Sequence, residues 1–361
     1  MTGPCTRPIL IMAGGTGGHV YPALAVAARL REWGVPLLWL GTRHGLEARL
    51  VPAAGYRLLT VTVAGLRGQG AARWLLAPFL LGMALLQSLI LIGRCRPAAV
   101  LGMGGYASGP GGLAAWLLRV PLLLHEQNAV AGLTNRWLAP LARRLLEAFP
   151  GAFAPRPALR TGNPVRADIV AIAPPRQRLV ERAGRLRLLV LGGSQGARAL
   201  NEKVPELASI AGGALIEVWH QTGDRHLEAT RARYAAAGIG ARIDGYLDPV
   251  ADAYAWADVV LCRAGAMTIA ELAAAGVAAI LVPYPHAVDD HQTANARHLS
   301  DAGAALLVRE SEFDGRRLAD WLRSLAADRG RLLRMAEAAR ALALPAATDT
   351  VARACLEVAH A

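Results

Sequence analysis

Short apolar runs recur along this chain, each closed by glycine and each followed by a helix-length segment. Arg7 to Ala13 predicts a strand. Gly14-Gly15-Thr16-Gly17-Gly18-His19 closes it and opens a helix with Pro22 near its first turn and Gly34 at its end. Pro36 to Leu40 predicts a second strand. Val100-Leu101 predicts another, running into a glycine loop from Gly102 to Gly109, and Pro121 to Leu124 a further buried one that ends in His125-Glu126-Gln127-Asn128. The proline-punctuated stretch 149–165, ending in Gly162-Asn163-Pro164, reads as a linker.

The pattern then restarts. Leu186 to Leu191 predicts a strand, and Gly192-Gly193-Ser194-Gln195-Gly196-Ala197-Arg198 its glycine loop. Ile216 to His220, Asp258 to Leu261 and Ala278 to Val282 predict later strands. A helix is expected around Arg331 to Leu342, a break at Pro345, and a last helix from about Asp349. Strands alternating with helices, twice over, predict an α/β protein of two Rossmann-like doubly wound domains. The expected division is 1–162 and 163–344, with 345–361 as a terminal helix.

Asp258 to Gly276 shows the unit most fully. A buried strand passes through a small-residue turn at Ala264 to Ala266 into a helix expected from Thr268 to Ala275, with Gly276 as terminator. A helix that starts where a parallel strand ends points its first N–H groups at the carboxyl edge of the sheet, where α/β proteins bind phosphates and nucleotides. Glu271 has two readings. It closes a capping box with Thr268, or it faces the crevice and accepts the hydroxyls of a ribose.

Charge changes the picture once it is divided. Residues 1–162 hold 16 Arg and 4 Glu with no Lys or Asp, so the net +12 of the whole chain sits there; residues 163–361 hold 23 basic and 23 acidic side chains. Either that half carries a solvated basic surface, or it meets an anionic partner: a membrane surface, a phosphate-bearing substrate or a nucleic acid. Within it, residues 74–93 hold no charge. Twenty apolar residues are long enough to span a bilayer, but Pro78, Gln87 and Ser88 interrupt them. An interfacial patch rimmed by Arg67, Arg73, Arg94 and Arg96 fits the charge asymmetry best, ahead of a core helix and then a span. The cysteines, Cys5, Cys95, Cys262 and Cys355, lie far apart, which predicts a reducing compartment and no structural zinc. Ile9 to Ala13 is too short for a signal peptide, so the chain is expected to stay in the cytoplasm.

The six residues from Gly14 do not fit G-x-G-x-x-G in any register that keeps the third glycine, and Gly41-Thr42 rather than an acidic residue ends the second strand. Both observations argue against a dinucleotide cofactor. Three such loops at strand ends form either tight turns or a crevice lined for phosphate.

The stretches GGTGGHVYPALAVA, LGMGGYASGPGGLAAW, LHEQNAVAGLTNRWLA, GNPVR, GGSQGARALN and AYAWADVVLCRAGAMTIAELAAAG together resemble the peptidoglycan N-acetylglucosaminyltransferases of glycosyltransferase family 28. The resemblance runs nearly end to end, departing in the second-domain linkers and at Asp290-His291. It implies the glycosyltransferase-B fold, two domains facing across a cleft, with an N-terminal acceptor domain onto which the last helix packs back. It implies inverting transfer of N-acetylglucosamine from UDP-N-acetylglucosamine to the 4-hydroxyl of the muramoyl sugar of lipid I, giving lipid II. The implied partners are UDP-N-acetylglucosamine, lipid I and an anionic membrane surface, with no nucleic acid, and the implied place is peripheral, on the cytoplasmic face of the cell membrane.

The same resemblance assigns residues. Thr16, Gly17 and Gly18 face the donor sugar and phosphates, Asn128 contacts the sugar, and Arg166 lies by the nucleotide. Ser194 meets the diphosphate. Tyr246 covers the base and the backbone of Leu247 reads the uracil edge. Arg263, Ala266, Met267, Thr268, Ile269 and Ala270 surround the diphosphate and helix start. Glu271 takes the ribose, and Gln292 the donor sugar. Tyr106, His125, Glu126 and Asn135 shape the acceptor side. No D-x-D metal motif occurs, so no metal and no cofactor is expected: helix ends, Ser194 and Arg263 would stabilise the departing diphosphate. His19 is the first candidate for the base that inversion needs, or else it positions the loop; Glu126 is the second. A UDP-N-acetylglucosamine 2-epimerase, a transferase with another lipid acceptor, a nicotinamide oxidoreductase and a membrane scaffold are the rival readings.

Overall fold

The computed structural model describes residues 7–63, 71–193 and 196–360, with 71–77 and Val288 described by backbone alone. They divide into two units: residues up to Val165 with Leu344–Ala361, and Arg166–Ala343.

The first unit is built on seven strands: β1 (Ile9–Met12), β2 (Leu37–Gly41), β3 (Leu58–Thr60), β4 (Ala99–Gly102), β5 (Leu122–Glu126), β6 (Arg144–Glu147) and β7 (Leu159–Arg160). They form one parallel sheet in the order β3-β2-β1-β4-β5-β6-β7. Successive strand side chains point to opposite faces, and β1 is apolar at all four positions because both faces are covered. Ile9 and Ile11 pack with Val20 and Val26 of the Gly17–Glu32 helix and with Val351 and Cys355 of the Ala347–His360 helix. Leu10 and Met12 pack on the other face, with Ile92 and Ala114. The terminal helix is pinned by Arg29 Nε to Asp349 Oδ1, 2.6 Å.

The predicted apolar segment lies within the Ala71–Cys95 helix. Ala84, Ser88 and Ile92 are buried, and the helix packs on Ser108–Leu117. Phe79, Leu81, Leu86 and Ile90 remain exposed, Phe79 at 69%. The window Pro78–Cys95 is long and apolar enough to cross a membrane, with mean hydropathy 1.6, yet only 17% of it is buried. One stripe is therefore core and the larger stripe is open. Arg94 and Arg96 are exposed at its end. Arg67 lies outside the described residues, as do the side chains of Arg73 and Trp74.

The second unit carries β8 (Leu186–Leu191), β9 (Ile216–Gln221), β10 (Ala241–Asp244), β11 (Val259–Cys262), β12 (Ala278–Leu281) and β13 (Ala305–Leu307), all parallel, in the order β10-β9-β8-β11-β12-β13. Leu188, Val190, Leu261 and Ile280 pack under the Arg198–Ala211 and Gly315–Ala327 helices. The latter buries Leu318, Leu322 and Leu325 at helical spacing and is capped by Asp314, whose carboxylate accepts from Arg316 N (2.8 Å) and Arg317 N (3.2 Å). Buried Asp258 ties the amino edge of the sheet together, accepting from Arg182 (2.8 Å), Arg329 (3.0 Å) and the backbone of Arg187 (3.0 Å).

Candidate functional site

In the second unit the strand order reverses between β8 and β11. In open parallel sheets, ligands bind outside the carboxyl ends of the strands at such a point. The turns leaving these two strands flank it. The turn after β8 is clamped by Gln221 at the end of β9. Its Oε1 accepts from Gly193 N (2.9 Å), and its Nε2 donates to Gly193 O (3.1 Å) and Gly245 O (2.8 Å). Gly196, at φ +74, is obligatory: a Cβ there would lie 2.4 Å from Thr222 O. Ser194 lies outside the described residues. Tyr246 and Leu247 follow the clamped Gly245, Tyr246 exposed and Leu247 half-buried.

The helix after β11 departs from the expected start. It spans Ala266–Ala275 with Gly265 as N-cap, so Thr268 sits in the first turn and caps nothing. Gly265, extended at φ −64 and ψ 143, lets the helix begin directly off the strand. The first helical bond is Ile269 N to Gly265 O, 3.0 Å, so the amides of Met267 and Thr268 lie ahead of the ladder. Ala266 and Ile269 are buried; Met267, Thr268 and Ala270 are half-buried. Gly276 ends the helix in the left-handed conformation, as expected.

Glu271 Oε2 accepts from the hydroxyl of Tyr254, 2.9 Å. The capping box is therefore excluded at both of its members. Burial raises the Glu271 carboxyl above its ordinary range; the charge of Arg166 and the Tyr254 hydrogen bond oppose the rise, and Asp168 adds to it. Arg166 immediately precedes the Ala167–Val170 helix. Arg263, expected at the diphosphate, already has partners of its own. Its guanidinium pairs with Glu310, donates to Val282 O (3.2 Å) and Pro283 O (3.3 Å), and lies 5.5 Å from the Tyr284 ring. Gln292 Oε1 accepts from Tyr284 N, 2.9 Å.

The first unit has its own reversal, between β1 and β4. The two glycine loops leaving these strands touch: a Cβ on Gly105 would meet Gly14 O at 2.3 Å, and one on Gly104 the His19 ring at 2.8 Å. Thr16 is the N-cap of the Gly17–Glu32 helix and is exposed, as is Gly18, while Gly17 is half-buried. Glu47, fully buried, braces this loop. Its oxygens accept from Gly15 N (2.9 Å), Thr42 N (2.9 Å) and Thr42 Oγ1 (2.6 Å). Burial alone would raise this carboxyl; the hydrogen bonds from Thr42 and Gly15 outweigh it and hold the group below its usual value.

His19 is half-buried, with Nδ1 2.9 Å from Gln127 Oε1. Glu126 differs from a candidate base. It is buried, and its oxygens accept from Asn128 N (3.0 Å), Asn128 Nδ2 (3.1 Å), Gly132 N (3.0 Å) and Asn135 Nδ2 (2.9 Å). Four donors fill a carboxylate's capacity, so Glu126 braces the 126–135 loop and is corrected from base to scaffold. His125 and Asn135 are buried in the same network, and of the four expected acceptor-side residues Tyr106 alone is exposed.

Two family models divide the chain between them. The glycosyltransferase family 28 N-terminal domain matches residues 9–146, and the family 28 C-terminal domain residues 187–351. The chain belongs to glycosyltransferase family 28. Relatives match nearly its whole length. It is 58% identical to a UDP-N-acetylglucosamine--N-acetylmuramyl-(pentapeptide) pyrophosphoryl-undecaprenol N-acetylglucosamine transferase of Nitrosococcus oceani, covering 97% of this chain and 98% of the relative. A transferase of the same name from Alkalilimnicola ehrlichii is 57% identical, covering 98% of this chain and all of the relative. The crystal structure of MurG from Acinetobacter baumannii superposes with a TM-score of 0.85 at 39% identity, over 97% of this chain and 99% of that one. The fold is the glycosyltransferase-B fold. A UDP-GlcNAc 2-epimerase from Neisseria meningitidis shares that fold alone, at TM-score 0.68 and 11% identity.

Glu47, Gln127, Gln221, Tyr254 and Glu310 were not singled out from the sequence. Each acts on a residue far away in the chain. Only Gln127 and Gln221 carried a signal, as polar residues at the ends of apolar strands.

Proposed function

We propose that this chain transfers N-acetylglucosamine from UDP-N-acetylglucosamine to the 4-hydroxyl of the muramoyl sugar of lipid I, with inversion, giving lipid II and UDP. The observation that carries the reading is 58% identity, over 97% of the chain, to a transferase whose name states donor and acceptor. The second unit is the donor side. The amides at the start of the Ala266–Ala275 helix, the Gly193 turn with Ser194, and Arg263 receive the diphosphate. A helix N-terminus favours an anion by about 0.3–1 kcal/mol, and up to about 2 where partly buried. Glu271, oriented by Tyr254, takes the ribose hydroxyls. Tyr246 and Leu247 hold the base, Arg166 lies by the nucleotide, and Gln292 donates to the sugar. In the first unit Thr16, Gly17, Gly18 and Asn128 meet the donor sugar, and His19 removes the acceptor proton as the bond to the anomeric carbon forms. Negative charge grows on UDP as it departs, and fixed dipoles aimed at it lower the barrier without reorganising.

The acceptor side docks on the inner leaflet through the open stripe of the Ala71–Cys95 helix. Exposed Phe79, Leu86 and Ile90 supply apolar area, and the +12 of residues 1–162 supplies attraction to anionic lipid. The deciding experiment is transfer of labelled N-acetylglucosamine to a short-chain lipid I analogue. Label in the lipid product is expected. Epimerised nucleotide sugar, or no labelled lipid, would overturn the reading.

A further inference from the structure

We propose that Gln127 is a positioning residue that holds His19 in its Nδ1–H tautomer, leaving the lone pair on Nε2 for the acceptor hydroxyl. The inference rests on the reading of His19 as the base.

Gly162 O is a carbonyl oxygen and can only accept. Gly162 O lies 3.0 Å from His125 Nε2, so that nitrogen carries the hydrogen. Thr161 Oγ1, 3.2 Å from the same nitrogen, sends its own hydrogen to Gly162 O over 3.0 Å and is likewise an acceptor. His125 is fully buried. Burial pushes its ring down to about 4, and the charge of His19 works in the same direction, against the hydrogen bond to Gly162 and the charge of Glu126. The ring is therefore neutral near pH 7, and its Nδ1 is a bare acceptor.

Gln127 Nε2 lies 2.9 Å from His125 Nδ1 and 3.2 Å from His125 O. Both partners accept, so two independent contacts place the NH₂ end of the amide here and use both of its hydrogens. The other end is then the oxygen, and it faces His19 Nδ1 at 2.9 Å. An amide oxygen cannot donate, so His19 Nδ1 carries the hydrogen. A neutral imidazole has only one, which leaves Nε2 basic. Asn163 Nδ2 holds the backbone of Gln127 through its carbonyl, 3.0 Å, and Gly104 lies against the His19 ring. The logic is that of the triad carboxylate, which fixes a histidine tautomer from behind. Here the partner is neutral, so it orients the ring without adding charge.

The test is the ring nitrogen spectrum of the full-length protein with ¹⁵N-labelled histidine, above the titration range of the ring, with His19→Gln to assign the signals. Wild type is expected to show a protonated Nδ1 and a bare Nε2 at His19, the reverse of the preference of a free histidine side chain in water. Gln127→Met keeps the bulk and removes the acceptor. It should shift the ring toward Nε2–H and lower kcat about tenfold, part of the roughly 10²–10⁴ a general base contributes, with donor KM within about twofold. Gln127→Glu keeps an acceptor and should retain Nδ1–H. Wild-type His19 protonated on Nε2 would overturn the proposal whether or not any variant folds, as would unchanged kcat in a Gln127→Met protein whose ring has shifted. His19→Ala with near-normal turnover would instead overturn the base reading and leave the tautomer measurement standing.

Discussion

Replacing Glu271 with Gln separates a ribose-reading carboxylate from a structural one. The change keeps side-chain length and an oxygen for the Tyr254 hydroxyl, which donates over 2.9 Å. What it removes is the charge. A hydrogen bond to a charged group contributes about 1.5–3 kcal/mol, so losing the charge under two ribose hydroxyls while one neutral acceptor remains should cost about 2–4 kcal/mol, or roughly 30- to 1,000-fold in Kd for UDP. The assay is calorimetric titration of wild type and Glu271→Gln with UDP and with 2′,3′-dideoxy-UDP. Wild type should discriminate strongly between the two ligands and the variant weakly. Equal discrimination by both proteins would refute the ribose contact. Stability moves the other way. Burial raises the folded carboxyl, so the native state still holds its proton at a pH where the unfolded chain has lost it. The stability from this group is full below the unfolded pKa and is lost as pH rises through the folded one. Glu271→Gln should therefore melt above wild type at pH 8, with the gap closing in acid. UDP affinity of the wild type should fall as pH drops through the same folded value.

Glu47→Ala strips the carboxylate from two backbone amides and a hydroxyl in a fully buried site. It should cost about 3–5 kcal/mol in urea unfolding; a loss under about 1 kcal/mol would contradict the brace. Since the folded Glu47 carboxyl is held low, its contribution is present above the unfolded pKa and disappears as pH falls through the folded value. Glu310→Gln removes the carboxylate that neutralises Arg263 and should tighten UDP by about 1 kcal/mol, near fivefold; unchanged UDP binding by a folded variant would argue that Arg263 does not act on the diphosphate. Turnover should persist in excess chelator, and activity abolished by chelator and restored by magnesium would refute transfer driven by dipoles and Arg263. Binding to anionic vesicles should fall with salt and with a Phe79→Asp, Leu86→Asp pair; equal binding to neutral and anionic vesicles at every salt concentration would refute docking through this stripe.

The interior strands other than β6 were legible because both of their faces are buried and they read as unbroken apolar runs. The strands missed are informative: β3, β7, β10 and β13 are the four sheet edges. They are short, and their faces are largely half-buried or exposed, so neither a period nor an apolar run marks them. β6 was also missed. It follows the short helical turns after β5, and Arg144 and Glu147 at its ends obscure a two-leucine centre. At the site, the turn after β11 was readable, but the T-x-x-E spacing misled. A glycine N-cap moves the helix start two residues earlier and hands the glutamate to Tyr254. Local spacing carries no trace of such long-range partners. The same holds for Glu310 on Arg263 and for Glu47, which reaches the first glycine loop from beyond the strand end where no acid stood.

The most direct measurement is a crystal structure of the protein soaked with UDP-N-acetylglucosamine. The diphosphate is expected within hydrogen-bond reach of the 192–198 turn and of the Met267 and Thr268 amides, with both ribose hydroxyls on Glu271. A diphosphate lying away from both turns would contradict it.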